Sequence, residues 1–164
     1  MSSCPYVNRG EEGYVPVNAF FHPLAVQDLA DEILSKSNKH PFNAVLEWVI
    51  LNVPYVSDLN QFTKVDYWQY PEEAIASGAG DCEDESFLVA SLLIALGFVA
   101  RIAIGNTPYG YHAWCEAQDD SGCWWLLEST MGKAFKITSY PALGYEIDLI
   151  VEPEGCVEEQ SYSY

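Results

Sequence analysis

The chain has 164 residues, the usual size of one domain, and its 49% apolar and 14% aromatic content suffices for a core. Seven Lys and Arg stand against 24 Asp and Glu, for a formal charge of −17. That charge repels phosphate backbones and anionic lipid, so neither nucleic acid nor membrane is expected as a partner.

The elements are read in chain order. Met1 to Glu12 is polar, with Pro5 and Gly10 and no apolar stretch of signal-peptide type, so the expected location is cytoplasmic or, if a leader has been removed, unknown. Pro23 followed by Leu24, Ala25, Leu29, Ala30, Ile33 and Leu34 predicts an amphipathic helix, and Pro41 to Val53, stopped by Pro54, predicts a second. Residues 55–80 read as loop with one helical turn at Pro71–Ile75. From Cys82 to Leu96 the chain is apolar on almost every face, as a helix buried on most sides must be, and Gly97 is placed to cap it. The nearly apolar run from Phe87 to Ala100 is short of the roughly 20 residues that cross a bilayer. Strands are predicted at Phe98–Gly105, Tyr111–Gln118, Cys123–Thr130 and Tyr145–Val151, the middle two joined by the turn residues 119–122. Helices followed by an antiparallel sheet make an α+β domain spanning 1–164, with its core at about 20–152 and an acidic tail at 153–164 that is loosely ordered or an added edge.

Cys82 follows a glycine-rich turn and opens the most buried helix. A helix N-terminus offers unpaired N–H groups and partial positive charge, which favour a thiolate and can receive a developing oxyanion. A structural buried thiol is the competing reading. His112 is the natural base, because His22 and His40 each adjoin a proline in the helical half. If 119–122 form the loop, paired positions sum to 241 and His112 faces Ser129, with Glu128 beside it. A bulge makes the sum 240 and sets Glu128 opposite. Glu116, Asp119 and Asp120 are the fallback acids. Cys115 with Cys123, and Cys4 with Cys156, are the disulfide pairs that would leave Cys82 free.

Gly80–Asp81–Cys82–Glu83–Asp84, then Val99–Ala100–Arg101–Ile102, Tyr111–His112–Ala113–Trp114 and Trp124–Trp125–Leu126–Leu127–Glu128–Ser129–Thr130 resemble the transglutaminase-like cysteine peptidase superfamily. The upstream Tyr67–Trp68–Gln69–Tyr70–Pro71 segment is similar to the bacterial members in particular. The resemblance covers about residues 41–130. It implies a papain-like core and a cysteine hydrolase with Cys82 as nucleophile, His112 as base and Glu128 orienting the ring. The family acid is usually an Asp followed by Pro and Thr, where this chain has Glu128–Ser129–Thr130. Trp68 or Gln69 would supply the second oxyanion donor; core packing is the other reading of Trp68. No cofactor is required. Calcium held by Asp81, Glu83 and Asp84 is implied by some relatives, and complementing the helix dipole is the other reading of Glu83 and Asp84. A protein or peptide is the expected partner. Transglutaminase-type transfer to an amine and a non-catalytic binding domain are the alternative functions.

Overall fold

A computed structural model describes residues 3–57 and 67–158; the loop reading of 58–66 and the tail reading of 159–164 lie outside the described residues. The helices come first. Val26, Ala30 and Ile33 form the buried stripe of α1 (Gln27–Lys36). The predicted start at Pro23 is a 3₁₀ turn over Leu24–Val26, which adds Val26 to that stripe and leaves Leu24 89% exposed. In α2 (Pro41–Asn52), Pro41 occupies the first turn and His40 Nδ1 accepts the Phe42 N–H. The turn expected at Pro71 is a full helix, α3 (Pro71–Ser77), whose Glu73 carboxylate accepts the Tyr70 N–H.

The apolar run forms α4 (Cys82–Ala95), buried from Asp84 to Leu93. It packs on α1, α2 and α3 on one side and on the sheet on the other, which explains why no face of it is polar. The sheet contains β3 (Val99–Thr107), β4 (Gly110–Gln118), β5 (Trp124–Glu128), β6 (Lys133–Lys136), β7 (Glu146–Glu152) and β8 (Gly155–Glu158). Its order is β6-β5-β4-β3-β7-β8, antiparallel throughout. A short helix, α5 (Tyr140–Leu143), precedes β7. Along β4 the alternation of strand side chains divides two cores: Ala113, Cys115 and Ala117 face the helices, while Trp114 joins Leu126, Tyr140, Tyr145 and Ile150 on the far side. The α+β expectation is therefore correct.

Two parts were not read from the sequence: the start of the chain forms a hairpin of β1 (Tyr6–Asn8) and β2 (Tyr14–Pro16), and β6 extends one edge of the sheet. At the other edge β8 is the added edge that one reading of the tail offered. Cys4 is bonded to Cys156 on β8, tying the hairpin to the far edge. The second predicted disulfide is absent: Cys115 is buried opposite Leu127 and Cys123 is exposed in the β4–β5 loop. Among the described residues no helix is long and apolar enough to cross a membrane.

Candidate active site

Three backbone features place Cys82. Gly80 donates to Pro54 O and its carbonyl accepts the Val56 N–H, so the turn before α4 is pinned to the segment carrying Tyr55. A Cβ at Gly80 would lie 2.7 Å from the Asp84 Cβ, so only glycine lets this turn close on the helix. Asp81 and Asp84 then cap α4 reciprocally, each carboxylate meeting the other's backbone N–H. The Ser86 hydroxyl lies against both Cys82 O and Ala113 O, joining the first turn of α4 to β4.

His112 reaches the same place from the sheet. It pairs with Gly105 on β3, where a Cβ would lie 1.9 Å from Glu146 O on the neighbouring strand. The β4–β5 register differs from both predicted ones. Gln118 pairs with Trp124, so paired positions sum to 242 and the loop is five residues long. The cause is Asp119, whose Oδ1 accepts the N–H groups of Ser121 and Cys123 and draws Cys123 into the turn. With a sum of 242, Glu128 lies beside Trp114, on the His112 face and one pair along. From that diagonal position its carboxylate oxygens lie 3.0 and 2.9 Å from His112 Nε2. The extra methylene of Glu over Asp spans the offset.

Glu128 has no exposed surface, and burial alone would raise its pKa. The His112 hydrogen bond and charge, with donors from Thr130 and Tyr145, reverse this and hold it below the usual carboxylate range. An ionised Glu128 accepts, so Nε2 of His112 carries the proton and Nδ1 is left as an acceptor, the state a general base requires. The other histidines are committed elsewhere: His22 Nδ1 lies 2.7 Å from Glu72 and His40 caps α2. The fallback acids are also occupied. Glu116 pairs with Arg101, Asp119 holds the turn and Asp120 is exposed on it.

Cys82 and His112 line one cavity of about 390 Å³ together with Tyr55, Tyr109, Tyr111 and Tyr145. Among the described residues no hydrogen bond joins the thiol to His112; Cys82 Sγ donates to Glu83 Oε2 at 3.2 Å. Burial, then the Glu83 charge, push the thiol pKa well up, and the Ala113 backbone amide works in the opposite direction. Glu83 is itself pushed up to about 7 by burial and by Asp84, against its contact with Asp81. The resting site is thus a neutral thiol against a carboxyl that gains a proton near neutrality.

The remaining predicted residues separate. Gln69 spends both amide protons, on Ala79 O and Asp84 Oδ2, and its backbone N–H on Asp84 Oδ1. It braces the α4 cap and has no proton left for an oxyanion, which corrects that assignment. The Trp68 ring packs against Phe20 and Phe87 at 5.5 and 5.8 Å. Asp84, bonded to Gln69 and Asp81, is not free to ligate a cation. Tyr145 was missed: its hydroxyl donates to Glu128 Oε2 at 2.8 Å. A tyrosine preceding a strand carries no sequence signal of that contact.

Glu85, one turn along α4, is 1% exposed and its Oε1 has no hydrogen-bond partner among the described residues. Burial, then Glu128 and Asp84, raise its pKa to about 8. The folded state therefore keeps a proton that the unfolded chain releases above its ordinary value, and stability falls as pH rises through that interval. Glu85→Gln removes this dependence. Relative to wild type it is expected to gain on the order of 2 kcal/mol between pH 5 and pH 8, read by urea denaturation; parallel stability curves would refute it.

The model of the transglutaminase-like superfamily matches residues 27–129, more than half of the chain. No sequence among curated proteins matches. Among solved structures, a candidate cysteine protease from Cytophaga hutchinsonii is 25% identical with a TM-score of 0.57, over 72% of this chain and 42% of that one. The chain thus spans less than half the length of that protein. LapG from Legionella pneumophila, solved calcium-bound, is 20% identical with a TM-score of 0.65, over 87% of this chain and 90% of that one. The EGTA-treated form of LapG superposes equally well, at 21% identity and TM-score 0.65, over 87% and 88%. A helix opening on a cysteine, packed against an antiparallel sheet bearing His112 and Glu128, fits these likenesses, and the chain belongs to the transglutaminase-like superfamily.

Proposed function

We propose that the protein is a cysteine hydrolase that cleaves an amide or peptide bond through a thioester on Cys82. The observation that carries this reading is the orientation of His112: Glu128 takes Nε2, which leaves Nδ1 as base in the cavity that Cys82 lines. In the first step the Cys82 proton passes to Nδ1 and the thiolate attacks the substrate carbonyl. The backbone N–H of Cys82, in the first helical turn and without an intrahelical acceptor, faces the growing oxyanion charge. The imidazolium, held by Glu128, then protonates the leaving amine and the C–N bond breaks. Water, deprotonated by the same nitrogen, releases the acid and restores the thiol. Transfer to an amine uses the same steps with the amine in place of water.

Among the described residues that line the cavity none is Lys or Arg, and Asp148 lies against Tyr111 at its edge. We therefore take peptides bearing positive charge as the substrate class. Mass spectrometry of enzyme quenched during turnover of such peptides tests the reading. It predicts an acyl adduct on Cys82 that disappears in Cys82→Ala. Cleavage that persists in Cys82→Ala would overturn it.

Calcium fits part of the acidic cluster. Asp81 and Glu83 lie in hydrogen-bonding contact, and two crowded carboxylates that favour a proton also suit a hard cation. Among the described residues no third His, Cys, Asp or Glu joins them to complete a cluster. Bound there, calcium would neutralise Glu83 beside the thiol and so favour the thiolate. Calcium is expected to raise both the Tm and the rate of Cys82 alkylation over EGTA-treated protein, and Glu83→Gln to abolish both differences. Identical behaviour of wild type in calcium and EGTA would reject the site.

A further inference from the structure

We propose that Tyr145 is a positioning residue, which with Thr130 holds Glu128 against His112 so that the longer carboxylate does the work of the shorter family acid. The proposal rests on the His112 and Glu128 assignment above. Glu128 occupies the end of β5, one residue pair away from His112, and a side chain with three rotatable bonds and no anchors could satisfy its charge in several rotamers. Two donors remove that freedom. Thr130 Oγ1 lies 2.8 Å from Oε1 and the Tyr145 hydroxyl 2.8 Å from Oε2, so each oxygen has its own neutral donor while His112 Nε2 meets both.

The Tyr145 ring is itself fixed. It is 6% exposed, lies edge-on to Trp114 at 4.9 Å and meets the His112 ring edge-on at 6.5 Å. One side chain thus touches the acid through its hydroxyl and the base through its ring. Burial, then the Glu128 charge, raise the Tyr145 pKa, so its hydroxyl remains a donor at any working pH. The charged and titratable groups that meet Glu128 are His112 from β4, Tyr145 before β7, Lys133 paired with it on β6, and Glu85 from α4. The Glu128 charge in turn helps keep the proton on buried Glu85, so Glu85 brings no second charge to Glu128 below about pH 8.

Tyr145→Phe removes one hydroxyl and keeps the ring. Loss of a donor to the ionised form must raise the Glu128 pKa. With the protein carrying ¹³C-labelled Glu, the carboxyl carbon of Glu128 is expected to titrate about one pH unit higher in Tyr145→Phe and in Thr130→Val. The acid limb of Cys82 alkylation should move with it, giving a several-fold slower reaction near pH 5. Tyr140→Phe, on the same face but bonded to Glu116, is the control and should leave the Glu128 titration unmoved. An unchanged Glu128 titration in both Tyr145→Phe and Thr130→Val overturns the proposal. A shifted titration with an unmoved alkylation limb upholds the contact and instead refutes the role of His112 and Glu128 in activating Cys82. If Tyr145→Phe does not fold, Thr130→Val alone decides.

Discussion

His112→Ala is expected to slow iodoacetamide alkylation of Cys82 at pH 7 by a factor of about 10² to 10⁴. The size follows from the resting state. Burial and the neighbouring Glu83 hold the thiol protonated far above neutrality, so the proposed mechanism requires His112 to take its proton. Without that base, the thiol is left with Glu83 and Asp81, whose charges oppose the thiolate. The exposed Cys123 provides an internal reference, since its alkylation should be the same in both proteins. Peptide cleavage should fall in parallel. A Cys82 rate within twofold of wild type would mean that the thiol is activated by something other than His112, and the proposed mechanism would fail.

Glu116→Ala is expected to destabilise the fold by about 3–5 kcal/mol, measured by urea denaturation. Glu116 has no exposed surface, and its Oε1 lies 2.7 Å from Arg101 Nε. Its other oxygen accepts the Tyr140 hydroxyl, which in turn accepts the Trp114 indole N–H at 2.9 Å. The Arg101 guanidinium lies 3.8 Å from the centroid of Trp124. Removing the carboxylate therefore takes from a buried guanidinium its closest counter-charge and leaves a cavity between β3, β4 and α5. A loss below about 1 kcal/mol would show that Arg101 is compensated elsewhere. Glu116 also shares a strand face with His112, so the variant separates the two acids. Folded Glu116→Ala should retain rapid Cys82 alkylation, whereas Glu128→Ala should lose it.

Much of the site could be read from residue order because local physics determines it. Gly80 to Asp84 make a tight turn and a capping box around Cys82, local interactions that span five residues and that Pro54, Val56 and Gln69 then brace. The choice of His112 over His22 and His40 follows from their prolines, and the structure puts the latter two on Glu72 and a helix cap. Glu128 was harder. Its pairing with His112 depends on how many residues the β4–β5 loop takes, and Asp119 takes one more than the turn composition suggests. A shift of one position exchanges the faces of a strand. The carboxylate reaches His112 only because the actual register restores the matching face.

Other features had no local signal. Gln69, two residues before a proline and with a free amide in the sequence, has that amide consumed by Asp84 and Ala79. Arg9 reads as one charge in a polar N-terminus. In the fold it reaches Glu73, the Trp68 carbonyl and the face of Tyr70, bracing the segment that supports the α4 cap. Both contacts join residues far apart in the chain, and nothing in a single sequence reports such pairings.

Composition by itself established an acidic chain able to build a core, and patterning established a buried helix opening on Cys82 followed by antiparallel strands. Those properties depend on hydrophobic periodicity and on turn chemistry, which act over a few residues. Tertiary structure alone decided the register that brings Glu128 to His112 and the placement of Tyr145 over both, and of the two disulfides expected from the sequence it kept only Cys4 with Cys156. It also decided where the charge of −17 matters: most acids are solvated, while Glu83, Glu85 and Glu128 are withdrawn from water around one thiol. Burial changes the chemistry of a carboxylate, and burial is a property of the folded chain.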